Sequence, residues 1–293
     1  MMDYDDFIYF DVHTHFFPEK LLHAIWEYMA SHYWPVYLKD TAKNLAMKLV
    51  SNYRVKHFLI LNYAHKPGIA SSINEWTNSF CSSPQLKGVA IPFGTIHPGD
   101  TGNSEEMDRI FCDFGFAGIK LQLMVTDFYI SDRRMKTVYD KIIEYDKVLF
   151  VHIGTFPSHT NYFPGLKFQF PYTGVTHLER FMEEYPEMKV IVPHMGADEY
   201  EEMWELIEKY PNLYFDTAGI AVKNNSLIDD GMHSINHEQL YEISDRILFG
   251  SDFPNIGWGY RNSVLGWLER EMDRTFYEKV FYKNASRFFR GYI

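Results

Sequence analysis

The sequence predicts an α/β protein folded as a single (β/α)8 TIM barrel. Three observations carry this: eight short apolar runs, amphipathic helical stretches between them, and no glycine-rich nucleotide loop after any run. Strict alternation of strand and helix implies parallel strands, and eight units imply closure. The alternative, an open doubly wound sheet, lacks its G-x-G-x-x-G or Walker signature. A length of 293 residues suits one domain spanning 1–293, and 46% hydrophobic with 23% charged residues suits a large core under a charged surface.

In order, the predicted strands are "FIYFDVHTH" (7–15), "VKHFLILNYA" (55–64), "GVAIPFGTI" (88–96), "AGIKLQL" (117–123), "KVLFVHIG" (147–154), "MKVIVPHMG" (188–196), "NLYFDTAG" (212–219) and "RILFGSDFP" (246–254). Each is rich in Val, Ile, Leu or Phe and too short for a buried helix. Between them, "EKLLHAIWEYMA" (19–30), "RRMKTVYDKIIEYD" (133–146), "THLERFMEEYP" (176–186) and "EEMWELIEKYP" (201–211) show helical periodicity. The last two stop at Tyr-Pro, because proline disfavours the helical conformation of the residue before it. One long irregular insertion, 154–175, follows the fifth strand and is rich in aromatics: Phe156, Tyr162, Phe163, Phe168, Phe170 and Tyr172. With Trp258 and Tyr260 it suggests either an aromatic lid over a site or a loop that packs against itself or a second subunit.

A net charge of −11 with no basic block excludes a nucleic-acid or anionic-membrane surface as the expected partner, leaving a small-molecule substrate. The cysteines Cys81 and Cys112 form no C-x-x-C pair and read as reduced, buried thiols. The acidic start "MMDYDDF" and the lack of a membrane-length apolar run predict a soluble cytoplasmic protein.

Polar residues interrupt or end several strands. In the first, Ile8, Phe10 and Val12 are expected on the helix-facing side and Asp11, His13 and His15 on the inner side. The fourth places Lys120 inward; the fifth, sixth and eighth end in His152, His194 and Asp252. In a barrel, inner-face residues at the C-terminal strand ends meet at one mouth. Several imidazoles and a carboxylate buried together need a compensating charge, and a divalent cation supplies it. An isolated H-x-H is weak evidence; the joint placement at four strand ends is what makes the argument.

With these pieces in place, the chain resembles the amidohydrolase superfamily, and more closely its amidohydrolase-related branch, which includes aminocarboxymuconate semialdehyde decarboxylases, resorcylate-type decarboxylases and hydrolases. The resemblance runs over nearly the whole chain, through "DVHTH", "INEWTNSF", "PFGTIHP", "FGFAGIKL", "FVHIG", "VIVPHMGA", "NLYFDTAG" and "ILFGSDFP". It implies that His13, His15, His152 and Asp252 hold one divalent ion, with zinc preferred over manganese, iron or cobalt, and that His194 acts beside it as an acid, base or polarising group. A second ion bridged by a carboxylated Lys120 is the alternative the resemblance leaves open; a homo-oligomer is also implied.

From this follows an expected metal-dependent hydrolysis of a C–N or C–O bond in a small molecule, with Asp252 and His194 as the catalytic proton carriers. The alternative is non-oxidative decarboxylation of an aromatic or muconate-like acid on the same residues. That chemistry calls for a cation to grip carboxylates, for which Lys120 and Arg261 are the candidate substrate-binding residues. Asp11 is expected to be structural, and Asp216 to orient His194 or to satisfy backbone donors.

Overall fold

The computed structural model describes residues 2–154, 171–197, 199–224 and 236–293. Eight strands form one parallel sheet in sequential order: β1 (Tyr9–Thr14), β2 (Val55–Ile60), β3 (Ala90–Gly94), β4 (Gly118–Gln122), β5 (Val148–His152), β6 (Lys189–Val192), β7 (Leu213–Asp216) and β8 (Ile247–Leu248). The ring closes between β1 and the segment that continues β8. The Val12 amide donates to the Phe249 carbonyl, the Asp252 amide to His13 and the His15 amide to Phe253, each at 2.8 Å, and Thr14 bridges Phe253. Helices alternate with the strands, so the expected TIM barrel is the architecture found.

Two apolar layers hold it together. Tyr9, Phe58, Ile60, Ile119, Leu121, Leu149, Val151, Val190, Val192, Leu213 and Phe215 face the surrounding helices. Phe10, Val12, Leu59, Leu61, Ile91, Phe93, Phe150, Ile191 and Leu248 fill the barrel, joined at its base by Ala285 and Phe289. The helices Val175–Glu184 and Tyr200–Lys209 stop before Tyr185-Pro186 and Tyr210-Pro211, where the proline ring prevents propagation.

The first strand departs from its expected alternation. Phe10 and Val12 lie in the barrel interior, not against the helices. The cause is a β-bulge: Asp11 pairs with Phe58 but Thr14 with Ile60, so three steps of β1 match two of β2. One extra residue inverts the face of everything after it. Phe10 and Val12 before the bulge and His13 and His15 after it therefore share the interior, whereas Asp11 turns toward Ser251 and Tyr260. Of the cysteines, Cys81 is buried as expected, but Cys112 is exposed and contacts the Tyr145 hydroxyl. No helix among the described residues is long and apolar enough to cross a membrane.

Candidate active site

The first strand, the turn after β6 and the segment after β8 bring their imidazoles and carboxylate to one point. The His13, His15 and His194 rings each donate Nδ1–H, to Asp216 Oδ2, the Leu61 carbonyl and the Ala218 carbonyl respectively, all at 2.7 Å. Because a carboxylate or carbonyl can only accept, these contacts select the Nδ1–H tautomer and leave each Nε2 as a lone pair. The Nε2 atoms of His13 and His15 are 3.1 Å apart. Asp252 Oδ1 lies 3.0 Å from His15 Nε2 and 3.5 Å from His13 Nε2. Three acceptors facing one another this closely repel unless a cation is shared among them, a proton in the metal-free protein or a divalent ion.

Metal-ligand geometry meets the same test. His13, His194 and Asp252 each present a ligand atom, all within 4.8 Å of one another. Nitrogen and carboxylate donors of this kind fit zinc, manganese, iron or cobalt. Burial pushes the His13 and His152 imidazoles well below the ordinary histidine value, so both are neutral, as ligands must be. For Asp252, burial works against ionisation, but the surrounding His13 and His15 hold its carboxyl below the usual carboxylate range. His152 stands beside His194, with ring centroids 4.8 Å apart. Its Nδ1 lies 3.0 Å from the side-chain amide of Gln122, its register partner on β4. Turning that amide over exchanges donor for acceptor, so the pair accommodates either tautomer.

Backbone strain sits at the same place. Pro193 has no N–H and ends β6, and the chain turns through His194 (φ 57°) and Met195 (φ 50°); Asp252 is also left-handed, at φ 65°. Such conformations cost a non-glycine residue on the order of 1–2 kcal/mol each and persist only when the surroundings enforce them. Asp216 enforces the first, accepting the His194 and Ala218 amides at 3.0 and 2.8 Å. Asp11 supports the last, accepting the Ser251 amide at 3.1 Å, the Ser251 hydroxyl at 2.5 Å and the Tyr260 hydroxyl at 2.9 Å. Burial raises the Asp11 carboxyl to about 7 despite these bonds.

Other expected site residues lie elsewhere. Lys120 pairs with Phe150, two residues before His152 on β5, and its Nζ sits 4.4 Å over the Phe150 ring. It is fully buried and Nζ has no hydrogen-bond partner among the described residues, so it forms the floor beneath the imidazoles, not the rim. Arg261 is exposed and covers the Tyr4 ring at 4.7 Å, in the layer that holds Tyr53 and Tyr260, so the structure does not bring it to the imidazoles. Tyr260 is buried and tied to Asp11, and Trp258 is buried and tied to the Ser263 hydroxyl. Phe156, Tyr162, Phe163, Phe168 and Phe170 lie outside the described residues, and Tyr172 packs on Tyr129. Two aromatics that the strand pattern did not single out do flank the site. Tyr63 meets His15 edge-on at 5.8 Å and Phe17 at 5.2 Å.

Gly250, just after β8, packs closely against His13. A Cβ there would fall 2.8 Å from His13 Cβ and 3.2 Å from Asp216 Cγ. Gly250→Ala is expected to part His13 from Asp216 and weaken divalent-metal binding by about tenfold or more, as losses of ligand-orienting contacts do. Stability should fall by about 1–3 kcal/mol through overpacking. Calorimetric metal titration and urea unfolding of the same variant check both.

The amidohydrolase family model matches residues 10–291. No curated protein sequence matches the chain. Among solved structures, 5-carboxyvanillate decarboxylase from Novosphingobium aromaticivorans, complexed with manganese, is similar at 16% identity over 97% of this chain and 96% of that one, with a TM-score of 0.66. The 2,6-dihydroxybenzoate decarboxylase from Rhizobium is similar at 17% identity over 97% and 98%, with a TM-score of 0.64. A TIM-barrel protein from Bordetella bronchiseptica shares 14% identity over 96% and 98%, with a TM-score of 0.67. The two named for a reaction are decarboxylases, which corrects the expectation of C–N or C–O hydrolysis. With its barrel, its strand-end histidines and aspartate, and a family match over nearly its whole length, the chain belongs to the amidohydrolase family.

Proposed function

We propose that this protein is a metal-dependent, non-oxidative decarboxylase of an aromatic or muconate-like carboxylic acid. The observation that carries the reading is the convergence of imidazole lone pairs on Asp252 at the barrel mouth. The likeness to two decarboxylases supports this reaction over others open to the same residues. His13, His15, His152 and Asp252 would hold one divalent ion, with His194 beside them as the acid. Zinc and manganese both fit these donors. When bound, the ion supplies Lewis-acid polarisation and charge compensation for an anionic substrate.

The side chains account for the rest. Tyr63, part-exposed beside His15 and packed on Phe17, offers a flat apolar wall that suits an aromatic ring. The reaction needs one proton delivered to the carbon bearing the carboxylate; the C–C bond then breaks, its electron pair stays with the ring and carbon dioxide leaves. His194, its Nδ1–H tied to the Ala218 carbonyl, presents Nε2 to the site and delivers that proton once Nε2 is itself protonated. Asp252 is placed to hold and return it.

The test is carbon dioxide release by protein reconstituted with manganese or zinc. Carboxyl-13C-labelled hydroxybenzoates and muconate-like acids are offered alongside lactones, esters and amides. Labelled carbon dioxide from one or more acids is the expected result. Acid release from the hydrolase substrates with none from the carboxylates would contradict it.

A further inference from the structure

The proton arrangement at the end of β7 has a consequence for the site's assembly. Asp216 is fully buried and makes three contacts that reach two other strands. Its Oδ2 accepts from His13 Nδ1 at 2.7 Å. Its Oδ1 accepts both the His194 amide, at 3.0 Å, and the Ala218 amide, at 2.8 Å. The Ala218 carbonyl in turn accepts from His194 Nδ1 at 2.7 Å. The segment Asp216–Ala218 thus grips the ring of one imidazole and both the backbone and the ring of another.

We propose that Asp216 is a positioning residue that locks His13 in the tautomer with its Nε2 lone pair facing the site, while it seats the left-handed turn carrying His194. The role rests on the metal-centre reading above. A carboxylate is required because all three of its partners donate. With Asn, one oxygen remains, and the two amides of His194 and Ala218 claim it. The side-chain NH2 must then face His13 Nδ1, which has to accept, and the ring proton moves to Nε2. A proton would then point where the lone pair is needed, with almost no change in shape. A residue that merely filled space or capped two amides would tolerate this exchange.

Nitrogen-15 NMR of the histidine rings in metal-free protein, combined with titration by MnCl2, tests the proposal. Wild type is expected to show His13 as the Nδ1–H tautomer. Asp216→Asn is expected to show the Nε2–H tautomer, to keep its fold by circular dichroism, and to bind Mn2+ about 10–100-fold more weakly, the range seen when ligand-orienting partners are lost. An unchanged tautomer and affinity in Asp216→Asn, even with a lowered melting temperature, overturns the lock. Should that variant fail to fold, the wild-type spectrum still decides: an Nε2–H tautomer of His13 overturns the proposal. Absence of Mn2+ binding to wild type would instead count against the metal-centre reading, leaving the tautomer result to judge Asp216 separately.

Discussion

Asp252→Ala is expected to lower carbon dioxide release by about 10^3–10^4-fold, corresponding to roughly 4–5.5 kcal/mol of transition-state stabilisation. The variant removes the only carboxylate among the converging acceptors and leaves the His13 and His15 lone pairs facing one another at 3.1 Å. A cation would then be held by neutral donors alone, and His194 would lose the partner that returns its proton. Asp252→Asn keeps the shape and should still lose most activity. His15→Ala should lose less affinity than Asp252→Ala, because it removes a neutral donor. Rates from labelled carbon dioxide, with bound metal measured on the same samples, check the ranking. Near-wild-type turnover in Asp252→Ala would exclude Asp252 from the chemistry.

Lys120→Met should make the protein more stable. The Lys120 ammonium is wholly buried, lies over the face of Phe150 and has no hydrogen-bond partner among the described residues. Burial drives its pKa down from 10.5 to about 8, against the opposing pull of Asp216 and Asp252. That shift corresponds to a penalty of about 3 kcal/mol. For a lysine with a lowered folded-state value, the unfolded chain holds more protons between pH 8 and 10.5. Stability therefore rises with pH through that window, and the penalty is full below it. Methionine removes the penalty but also withdraws a cation from the two aspartates. The net gain at pH 7 is expected to be about 1–3 kcal/mol, or several degrees in Tm, with the rise between pH 8 and 10.5 abolished. Urea unfolding of the metal-free wild type and variant at pH 7 and pH 10 measures it. A destabilised variant at pH 7 would show instead that Lys120 has an anionic partner worth more than its desolvation.

Much of this site could be read from strand ends alone. His152, His194 and Asp252 each close an apolar run, and a parallel barrel sends such ends to one mouth whatever the details of packing. The faces of the first strand could not be read this way, because a single bulged residue between Asp11 and Thr14 inverts the alternation and leaves no mark in composition. Asp216 was harder still: its contact with His13 joins residues 203 positions apart, and an aspartate ending a strand is as well explained by the amides next to it. Arg261 follows β8 as a mouth residue would, yet the loop carries it onto Tyr4. The choice between hydrolysis and decarboxylation is invisible in the ligands, since both reactions use the same nitrogen and oxygen donors.

Titration of chelator-stripped wild-type protein with Mn2+, followed through the histidine ring signals, tests the central claim most directly. One tightly bound ion per chain, with paramagnetic broadening strongest at His13, His15, His152 and His194 and weaker at His57, which pairs with Phe10 toward the start of β1, is the predicted result. Failure to saturate, or broadening centred on histidines other than these four, would contradict it.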